Sequence, residues 1–361
     1  MSLHNLVNVD NQKLLLHKKE LINYLKEKKN KLITIEVDLA LACNHKCPNC
    51  TFGDRPNNVF LDSSVMEKII RSLPETGAKG MIISGGGEPT IHKGLGAFIR
   101  KVSKADVDVT LTTNGQLIHK HFEDIMRNLK RIRFSIDAAS HKTFKHTHGK
   151  DQKTFDLVIG NLKKTIEFKK ENALPIDIGV SFLICEENAY ELFHAIDFYK
   201  KTGVDFLHFK PMQLCDNNLN RYYHKNYPVI KEIASKINDF NSSRFRVSIS
   251  REKFFQENDF NIQYHKCHGS YFDMIIGADG KAYTCCHFKY NPDYCYGDLH
   301  NEEITTILNK VKANVTDDCF PDCKMDAVNQ FIEYSKGHIN DVENMINEVG
   351  LSDLKLGDKW L

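Results

Sequence analysis

Three closely spaced cysteines have the most definite chemistry in this sequence. Cys43, Cys47 and Cys50 show the spacing C-x3-C-x2-C, and they follow directly on an apolar, β-prone run at 32–41. A structural zinc site normally uses four protein ligands in a closed tetrahedron. Three thiolates on a four-iron cluster instead leave one iron free to bind another molecule. The number and spacing of these thiols therefore favour a [4Fe-4S] cluster with an open iron, held at the end of a strand.

A second group of cysteines lies near the other end of the chain. It consists of Cys267, Cys285, Cys286, Cys295, Cys319 and Cys323. In a reducing cytosol, clustered cysteines are more often metal or cluster ligands than disulfides. Considered alone, this group fits either a zinc site or an iron–sulfur cluster. Cys185 and Cys215 stand apart from both groups, and we interpret them as buried free thiols.

Polar and glycine-rich groups follow the later β-prone runs. They are Ser84-Gly85-Gly86-Gly87-Glu88-Pro89, Thr112 to Gly115, Ser135 with Asp137, Cys185 to Asn188, and His208 to Pro211. In sheets of parallel strands, functional groups collect beyond the carboxyl ends of the strands. Three consecutive glycines let the backbone approach a ligand closely, although a tight strand-to-helix turn would explain them equally well. We therefore expect these groups to converge on one rim.

Several of these side chains have two interpretations. Ser135 and Asp137 are two residues apart on one strand, so they share a face and could both contact a ligand. Asp137 and Asn188 could instead cap the helices that follow them. Asn114 and Gly115 could form a simple turn.

Candidates for binding a polar substrate are spread over the same rim. They are His146, His148, Glu186, His208 and Lys210. The segment 141–150 holds three histidines and three lysines. We interpret it as a solvated, substrate-facing loop rather than a metal site, because no carboxylate or cysteine lies close to its histidines in sequence. Histidines on such loops commonly act as acids, bases or hydrogen-bond partners.

The elements that must position these residues alternate between strand and helix. Strands are predicted at 33–41, 79–83, 107–112, 131–136, 176–184 and 205–209, with helices at 62–73, 93–104, 117–129, 154–171 and 188–201 between them. This alternation predicts an α/β protein with a parallel sheet, either closed like a barrel or open and doubly wound.

Beyond the sixth strand the pattern changes. A polar, aromatic loop is predicted at 216–227, a helix at 228–240, a hairpin at 271–285 and a helix at 301–313. Together with an amphipathic helix before the first strand, this suggests four regions. They are an N-terminal helix (1–31), the α/β region (32–240), a small cysteine-bearing domain (241–335) and a helical tail (336–361).

Composition limits the function classes. The 361 residues include 49 Lys and Arg against 47 Asp and Glu, and the charges are well mixed. Such a balance gives no electrostatic footprint for nucleic acid or an anionic membrane. The sequence has neither a secretory signal nor an apolar segment long enough to span a bilayer. We therefore expect a cytoplasmic protein whose partners are small molecules.

The C-x3-C-x2-C motif resembles the signature of the radical S-adenosylmethionine (SAM) superfamily. This resemblance implies a partial (β/α)6 barrel and a cluster on Cys43, Cys47 and Cys50 whose open iron binds SAM. In that family, one electron from the cluster cleaves SAM to methionine and a 5′-deoxyadenosyl radical, which abstracts hydrogen from a C–H bond. A one-electron donor of the flavodoxin or ferredoxin type is also implied.

The same resemblance assigns SAM contacts along the rim. Gly86-Gly87-Glu88-Pro89, preceded by Gly85, is similar to the family's GGEP motif, whose backbone receives the amino end of SAM. The family uses a polar residue on the fourth strand for the ribose or carboxylate of SAM, which here would be Ser135 or Asp137. Asn114 and Asn188 are further cofactor-binding candidates. The family's usual aromatic residue before the third cysteine is Asn49 here, and Phe52 is close enough to replace it.

The C-terminal cysteines are similar to the SPASM and twitch extensions of radical SAM enzymes. Matching parts are Gly280-x4-Cys285, the segment Tyr296-Gly297-Asp298-Leu299, and Cys319-x3-Cys323. Six cysteines are fewer than the seven of a complete SPASM set, so the resemblance implies one auxiliary [4Fe-4S] cluster. Its expected ligands are Cys267, Cys285, Cys319 and Cys323, with Cys286 or Cys295 as an alternative for one of them.

The resemblance also suggests a substrate class. Relatives with a single-cluster twitch extension include an aminocyclitol dehydrogenase, and only about 30 residues precede the first strand, too few for the leader-binding module of many peptide maturases. We expect oxidation, dehydration or epimerisation of a sugar, aminocyclitol or nucleotide derivative. The alternatives are a maturase that crosslinks a ribosomally made peptide and a non-enzymatic zinc or iron–sulfur module for electron transfer.

Overall fold

Strands and helices alternate along the first two thirds of the chain. The computed structural model describes residues 14, 16–27, 31–53, 56, 58–216, 219–222, 228–250, 254, 264–311, 319 and 323–348. The elements up to the sixth strand are α1 (Lys18–Glu27), β1 (Thr34–Asp38), α2 (Ser63–Thr76), β2 (Gly80–Ser84), α3 (Leu95–Lys104), β3 (Asp108–Thr113), α4 (Phe122–Asn128), β4 (Arg131–Ser135), α5 (His141–His148), α6 (Gln152–Glu171), β5 (Asp177–Ile184), α7 (Leu192–Thr202) and β6 (Phe206–Pro211).

The remaining elements are shorter. They are β7 (Gln213–Asp216), β8 (Leu219–Tyr222), α8 (Pro228–Ser235), α9 (Ile237–Phe240), β9 (Arg246–Ile249), β10 (Asp273–Ile276), β11 (Lys281–Tyr283), β12 (Cys295–Asp298), α10 (Ile304–Leu308), α11 (Asp326–Ser335) and α12 (Ile339–Glu348). Residues 349–361 of the predicted tail lie outside the described residues. None of the described helices is long and apolar enough to cross a lipid bilayer.

One sheet organises the described molecule. Its strand order is β12-β11-β10-β1-β2-β3-β4-β5-β6-β9, and all neighbours from β10 to β9 are parallel. β11 and β12 continue the sheet in antiparallel pairing. The sequence-based prediction of an α/β fold with a (β/α)6 core is confirmed, and the C-terminal hairpin extends the same sheet.

Alternation along the strands separates two faces. On β4, Ile132 and Phe134 are fully buried in the main apolar core, against the surrounding helices. Arg133 and Ser135 therefore face the opposite side, because successive side chains of a strand alternate. The same alternation on β1 places Glu36 and Asp38 opposite the buried Ile35 and Val37. A polar inner face thus leads up to the carboxyl ends of the strands.

The loop prediction for 141–150 is wrong, because this segment forms α5. The side chain of Ser140 caps the helix by accepting a hydrogen bond from the amide of Thr143. Phe144 and His148, one helical turn apart, are buried with their rings stacked at 4.5 Å between centroids. The many polar residues concealed this short helix, which has only one buried face.

Four short strands were also not predicted. β7 and β8 pair where an irregular loop was expected, and residues 217–218 and 223–227 of that loop lie outside the described residues. β9 and β12 have four residues each, too few for a clear alternation. Both lie at edges of the sheet.

Candidate cluster and cofactor site

A cavity of about 410 Å³ lies at the carboxyl ends of the strands. Its walls come from the cysteine loop, the glycine loop after β2, the ends of β3 to β6, and the C-terminal domain. The cavity brings together most of the rim residues expected from the sequence. Among the described candidates, His146, Glu186, Asn188 and His208 do not line it.

The three cysteines of the first motif all line this cavity. Burial, followed by the charges of Asp137, Cys50 and Cys43, raises the pKa of the Cys47 thiol. The pKa of Cys43 is also raised, by burial and by charges that include that of Cys50. The thiols therefore lie close enough to interact electrostatically, as ligands of one iron–sulfur cluster must. This donor set fits a cluster held by three thiolates.

The glycine loop is fastened to the start of the cysteine loop by its backbone. Gly87 N–H donates to the carbonyl oxygen of Ala40 at 2.9 Å, and Glu88 N–H donates to that of Ala42 at 2.8 Å. A Cβ atom on Gly87 would lie 2.2 Å from the oxygen of Ala42, and one on Gly86 would lie 2.3 Å from Leu41 Cδ2. Gly87 is therefore required, because the backbones of the two loops approach too closely there for any side chain, whereas a Cβ on Gly86 would first meet the movable end of the Leu41 side chain.

The carboxylate of Glu88 accepts hydrogen bonds from neighbouring residues of the protein. Its Oε1 accepts hydrogen bonds from Thr90 N–H at 2.9 Å and the Thr113 hydroxyl at 2.6 Å, while Oε2 accepts from Asn114 N–H at 2.7 Å. The side chain is only 3% exposed. Glu88 thus joins the glycine loop to the turn after β3, and the parts of the motif that face the cavity are mainly backbone.

The turn after β3 also binds the cysteine loop. Asn114 Nδ2 donates to Asn44 Oδ1 at 2.8 Å, and Asn44 Nδ2 donates to Gln116 Oε1 at 2.7 Å. His45 Nε2 lies 2.9 Å from the same Gln116 oxygen, so this nitrogen carries the hydrogen. Asn114 lines the cavity, as expected, but its amide orients the loop between Cys43 and Cys47.

His148 faces the cluster loop rather than an open substrate site. Its Nε2 accepts a hydrogen bond from Asp137 N–H at 3.1 Å, so the hydrogen of a neutral ring lies on Nδ1. That Nδ1 lies 3.5 Å from Cys47 Sγ and 3.4 Å from His45 Nδ1. Burial lowers the pKa of His45 to about 4, and burial with the charge of His45 lowers the pKa of His148 to about 3. Both rings are therefore neutral at pH 7, which is consistent with one hydrogen between them.

These contacts explain a compact group that superficially resembles a metal site. One potential ligand atom each of His45, Cys47 and His148 lies within 4.8 Å of the other two. Both nitrogens of His148 and both of His45 already take part in the network just described. The short distances are thus accounted for by hydrogen bonding around a cluster ligand.

Ser135 and Asp137 both line the cavity, and both are half-buried. Asp137 Oδ1 accepts a hydrogen bond from Leu183 N–H at 2.7 Å, and its Oδ2 lies 3.7 Å from His148 Nε2. Burial raises the pKa of this carboxyl to about 7. Asn188 is fully buried, and its side chain binds the backbone of Asp137, Leu183 and Cys185. It holds the end of β5 and neither lines the cavity nor caps a helix.

The other substrate candidates occupy different positions. Lys210, at the end of β6, lines the cavity and is half-buried. His208 lies two residues earlier on the same strand, with its nitrogens 2.5 Å from Ser248 Oγ and 3.1 Å from Ser250 Oγ. His146 is exposed on α5, and Glu186 is exposed after β5.

Several cavity residues were missed from the sequence. Phe52, considered only as a replacement aromatic, lines the cavity, and so do Met212 and His287. His287 belongs to the C-terminal domain and directly follows Cys285 and Cys286. Its place in the cavity depends on the pairing of β10 with β1, which sequence spacing could not reveal.

Four C-terminal cysteines form a second group. A hydrogen bond with Cys286, burial and the charges of Cys286 and Cys323 raise the pKa of Cys285. Burial and the charges of Cys267 and Cys286 raise the pKa of Cys323 to about 12. Cys267 Sγ accepts hydrogen bonds from Ser270 Oγ at 3.2 Å and Asn329 Nδ2 at 3.6 Å. The two donors favour an anionic sulfur at Cys267, and the mutual charges show that these thiols lie close together, which fits an auxiliary cluster.

Cys295 and Cys319 are the remaining C-terminal cysteines. Cys295 Sγ donates to the carbonyl oxygen of Gly297 at 3.4 Å. Cys319, one of the four ligands expected from the sequence, is half-buried. Cys286, the alternative ligand considered from the sequence, lies beside Cys285, and the full ligand set stays a prediction.

Two family models match this chain. The radical SAM superfamily model matches residues 37–198, and the model of an iron–sulfur cluster-binding domain named SPASM matches residues 267–334. Together they cover both cysteine groups and more than half of the chain.

Two curated relatives match parts of this chain. A probable GTP 3′,8-cyclase of Methanococcus vannielii is 30% identical over 201 residues, which are 54% of this chain and 63% of that protein. A protein of the same description from Saccharolobus solfataricus is 25% identical over 280 residues, covering 71% of this chain and 83% of its own length. The chain thus matches somewhat less than two thirds of the M. vannielii protein.

Solved structures show the same fold at lower sequence identity. Streptococcus suis SuiB bound to S-adenosylmethionine has a TM-score of 0.64 at 15% identity, with 80% of this chain and 68% of that chain covered. Native anSMEcpe with bound AdoMet has a TM-score of 0.55 at 17% identity, with 88% of this chain and 100% of that chain covered.

Proposed function

Because this chain belongs to the radical SAM superfamily and has a SPASM-type iron–sulfur domain, we propose that it removes a hydrogen atom from a small polar substrate, with a nucleotide derivative as the favoured class. It is an enzyme whose cofactors are SAM and [4Fe-4S] clusters, so the alternative of a non-enzymatic binding module is excluded.

When bound, the first cluster supplies the electron that splits SAM into methionine and the radical that abstracts hydrogen. The protein's part is to orient the reactants and exclude water. We assign Cys43, Cys47 and Cys50 to the cluster and the backbone of Gly85 to Gly87 to the methionine end of SAM. Ser135, which lines the cavity from β4, would contact the ribose or carboxylate of SAM. Transfer of a hydrogen atom from a substrate C–H to the 5′ carbon would leave a substrate radical and 5′-deoxyadenosine.

The main support for this substrate class is that Lys210 and His287 line the same cavity. Lys210 reaches it from β6 and His287 from the cluster domain, and the strand ends add hydroxyls and a carboxyl. A cation and several hydrogen-bonding groups suit an anionic, hydroxylated ligand. The volume of about 410 Å³ is that of a small-molecule site. Among such ligands, the described activity of the curated relatives favours a nucleotide.

The fate of the substrate radical depends on the second electron. An oxidation removes two electrons in all, one with the hydrogen atom and one from the resulting radical. A cluster held by the C-terminal cysteines would supply an acceptor for that second electron if the reaction is an oxidation, and a base at the cavity would take the proton. Asp137, whose pKa is raised to about 7 by burial, is well suited to accept a proton at neutral pH.

The test is substrate-dependent formation of 5′-deoxyadenosine. Enzyme reconstituted anaerobically to about eight irons per chain, two four-iron clusters, is supplied with SAM and reductant. It is then offered nucleotides including GTP, sugar nucleotides, aminocyclitols and short peptides. We expect a nucleotide to raise 5′-deoxyadenosine formation above the substrate-free rate. Stimulation by a peptide and by none of the small molecules would overturn the proposal in favour of a peptide maturase.

A pair of lysine variants locates the substrate in the cavity. Lys210→Met should raise KM for the stimulating nucleotide about tenfold, because a charge-assisted hydrogen bond is lost. Lys201→Met, at an exposed position on α7, is the matched control and should leave KM unchanged. Equal KM values for Lys210→Met and the parent enzyme would remove Lys210 from the substrate site.

A further inference from the structure

A segment of the C-terminal domain reaches the end of β1. Lys289 Nζ lies 2.9 Å from Asp38 Oδ1 and 2.7 Å from Oδ2, and the Tyr290 hydroxyl donates to Oδ2 at 2.7 Å. Asp38 Oδ2 also accepts the N–H of Gly86 at 2.9 Å. One carboxylate thus joins the cluster domain to the glycine loop.

The ion pair at the centre of this contact is buried. The side chain of Asp38 is 1% exposed and that of Lys289 is 6% exposed. Burial alone would lower the pKa of Lys289, but the charge of Asp38 and the hydrogen bond to it raise this pKa above its ordinary value. Buried charges are costly unless they are paired and hydrogen-bonded. Each partner therefore depends on the other to keep its position.

The same two residues also hold Phe52, the aromatic side chain that follows the third cysteine of the first motif. Lys289 Nζ lies 4.9 Å from the centroid of the Phe52 ring. The Tyr290 ring meets Phe52 edge to face, with 6.0 Å between the centroids. Phe52 lines the cavity near the exposed Asn49. An aromatic surface beside the cluster loop is thus fixed from the C-terminal domain.

The backbone of Tyr290 is held in a conformation that it would not adopt alone. Its φ is 69°, in the left-handed region that residues with a Cβ rarely occupy. The hydroxyl accepts a hydrogen bond from Ala278 N–H at 3.1 Å in addition to donating to Asp38. Such strain persists only where several contacts with the surrounding structure hold the residue in place, and it is concentrated at functional sites.

The hydrogen bond from Gly86 N–H to Asp38 fixes the orientation of one peptide group of the glycine loop. The peptide group between Gly85 and Gly86 is planar and trans, so its N–H and C=O point in opposite directions. Holding the N–H toward Asp38 therefore fixes the opposite direction of the Gly85 carbonyl. A backbone that is oriented before binding loses less entropy when the ligand arrives.

From these contacts we propose that Lys289 and Tyr290 are positioning residues that complete the SAM site from the cluster domain. They orient the glycine loop through Asp38 and hold Phe52 by ring contacts. The inference rests on the SAM-binding role proposed for the glycine loop. SAM affinity therefore depends on the cluster domain as well as on the barrel, although neither Lys289 nor Tyr290 belongs to the radical SAM motif.

The test compares two tyrosine variants that each lose one phenolic hydrogen bond to a carboxylate. Tyr290→Phe loses the bond to Asp38 and also the weaker, 3.1 Å bond from Ala278 N–H. Tyr283→Phe, in the same hairpin, loses a 2.6 Å bond to Asp279 and is the matched control. SAM affinity is measured by equilibrium binding of labelled SAM to the anaerobically reconstituted enzyme without substrate. Iron content and the EPR spectrum of the reduced cluster, with and without SAM, are recorded in parallel.

We expect Tyr290→Phe to raise the Kd for SAM about threefold to tenfold, as the loss of one hydrogen bond to a charged group would do. Iron content should be unchanged, and Tyr283→Phe should bind SAM like the parent enzyme. Lys289→Arg, which keeps the charge, should weaken SAM binding less than Lys289→Met.

Two results would overturn the inference. One is an unchanged Kd for Tyr290→Phe at full iron content. The other is an equal loss of affinity in Tyr283→Phe, which would indicate general loosening of the hairpin. Because SAM binding is measured without substrate, a wrong substrate class would leave all of these outcomes unaffected.

Discussion

At the scale of single residues, His148 is a hydrogen-bond donor to the cluster loop. The backbone of Asp137 fixes the ring hydrogen on Nδ1, which faces Cys47 Sγ at 3.5 Å. Hydrogen bonds to the sulfurs stabilise the reduced, more negative cluster and raise its reduction potential. We therefore expect His148 to tune the potential of a cluster bound to Cys47, rather than to bind substrate.

This role predicts a redox effect. His148→Phe, which keeps an aromatic ring against Phe144, should lower the reduction potential of the first cluster by an amount on the order of tens of millivolts. The potential is measured by EPR-monitored titration of the reconstituted enzyme. His146→Phe, at an exposed position on the same helix, is the control. Identical potentials in the parent and His148→Phe, at equal iron content, would rule out the tuning role.

Asp137 gives a pH-dependent prediction for the iron-free protein. Burial raises its pKa to about 7, whereas in the unfolded chain it is about 4. Between these values the folded state keeps the proton and the unfolded state does not, so stability falls as pH rises and the loss is complete above pH 7. Asp137→Asn should remove this dependence, on the order of a few kcal/mol.

The measurement is the urea midpoint of both iron-free proteins at pH 5 and pH 8. The variant should gain stability relative to the parent at the higher pH. Asn keeps the oxygen that accepts from Leu183 N–H, so the comparison isolates the charge. A parent–variant difference that is the same at both pH values would show that Asp137 is already ionised at pH 5.

The sequence revealed the roles of some functional residues and not of others. The cysteine motif was informative because the ligands lie on one loop and their spacing is visible in the chain. The role of His148 was not accessible, since it requires α5 to turn the ring toward Cys47, more than a hundred residues earlier. Lys289 and Tyr290 carry no motif, and only the folded chain places them on Asp38.

At the scale of elements, the glycine loop and the cysteine loop form one unit. Gly87→Ala should disrupt this unit, because the new Cβ would lie 2.2 Å from the carbonyl oxygen of Ala42 and 2.5 Å from the backbone of Leu41. We expect loss of SAM binding by at least about tenfold, since neither backbone can move without displacing the cluster loop. Labelled-SAM binding is the measurement.

A second glycine provides the control for this change. Gly160 lies within α6, and a Cβ there meets no atom within 4 Å. Gly160→Ala should leave SAM binding intact and raise the free energy of unfolding by about 0.5–1 kcal/mol, the usual helix preference of alanine. Normal SAM binding by Gly87→Ala would contradict the close-approach explanation of the glycines.

The elements themselves were largely predictable. The six strands and five of the helices of the α/β core have strong apolar patterns and glycine-rich breaks, so their order followed from the sequence. α5, β9 and β12 were missed because each is short and buries few apolar side chains. Their formation depends on neighbours in space, which periodicity does not report.

At the scale of the whole molecule, the C-terminal domain is part of the barrel sheet. β10 pairs in parallel with β1, and this pairing brings His287 to the cavity and Lys289 and Tyr290 to Asp38. The sequence indicated a second cysteine domain but gave no information on where it docks. The domain boundaries proposed from the sequence remain a prediction.

The second cluster has a corresponding whole-molecule prediction. Cys323→Ala should reduce iron from about eight to about four per chain and abolish product formation, while SAM cleavage by the first cluster continues. Cys295→Ala, whose thiol donates to Gly297, should keep about eight irons. Iron and sulfide analysis with parallel product assays makes the measurement. Full iron loading of Cys323→Ala would exclude this cysteine as a ligand.

Hydrogen abstraction from a nucleotide-type substrate is tested most directly by the transfer of deuterium from the substrate to 5′-deoxyadenosine. Anaerobic enzyme is incubated with SAM, reductant and a nucleotide deuterated throughout its ribose, and the 5′-deoxyadenosine formed is analysed by mass spectrometry. We predict 5′-deoxyadenosine that carries deuterium from the ribose. Nucleotide-stimulated 5′-deoxyadenosine without deuterium would contradict abstraction from the sugar, and no stimulation by any nucleotide would contradict the substrate class.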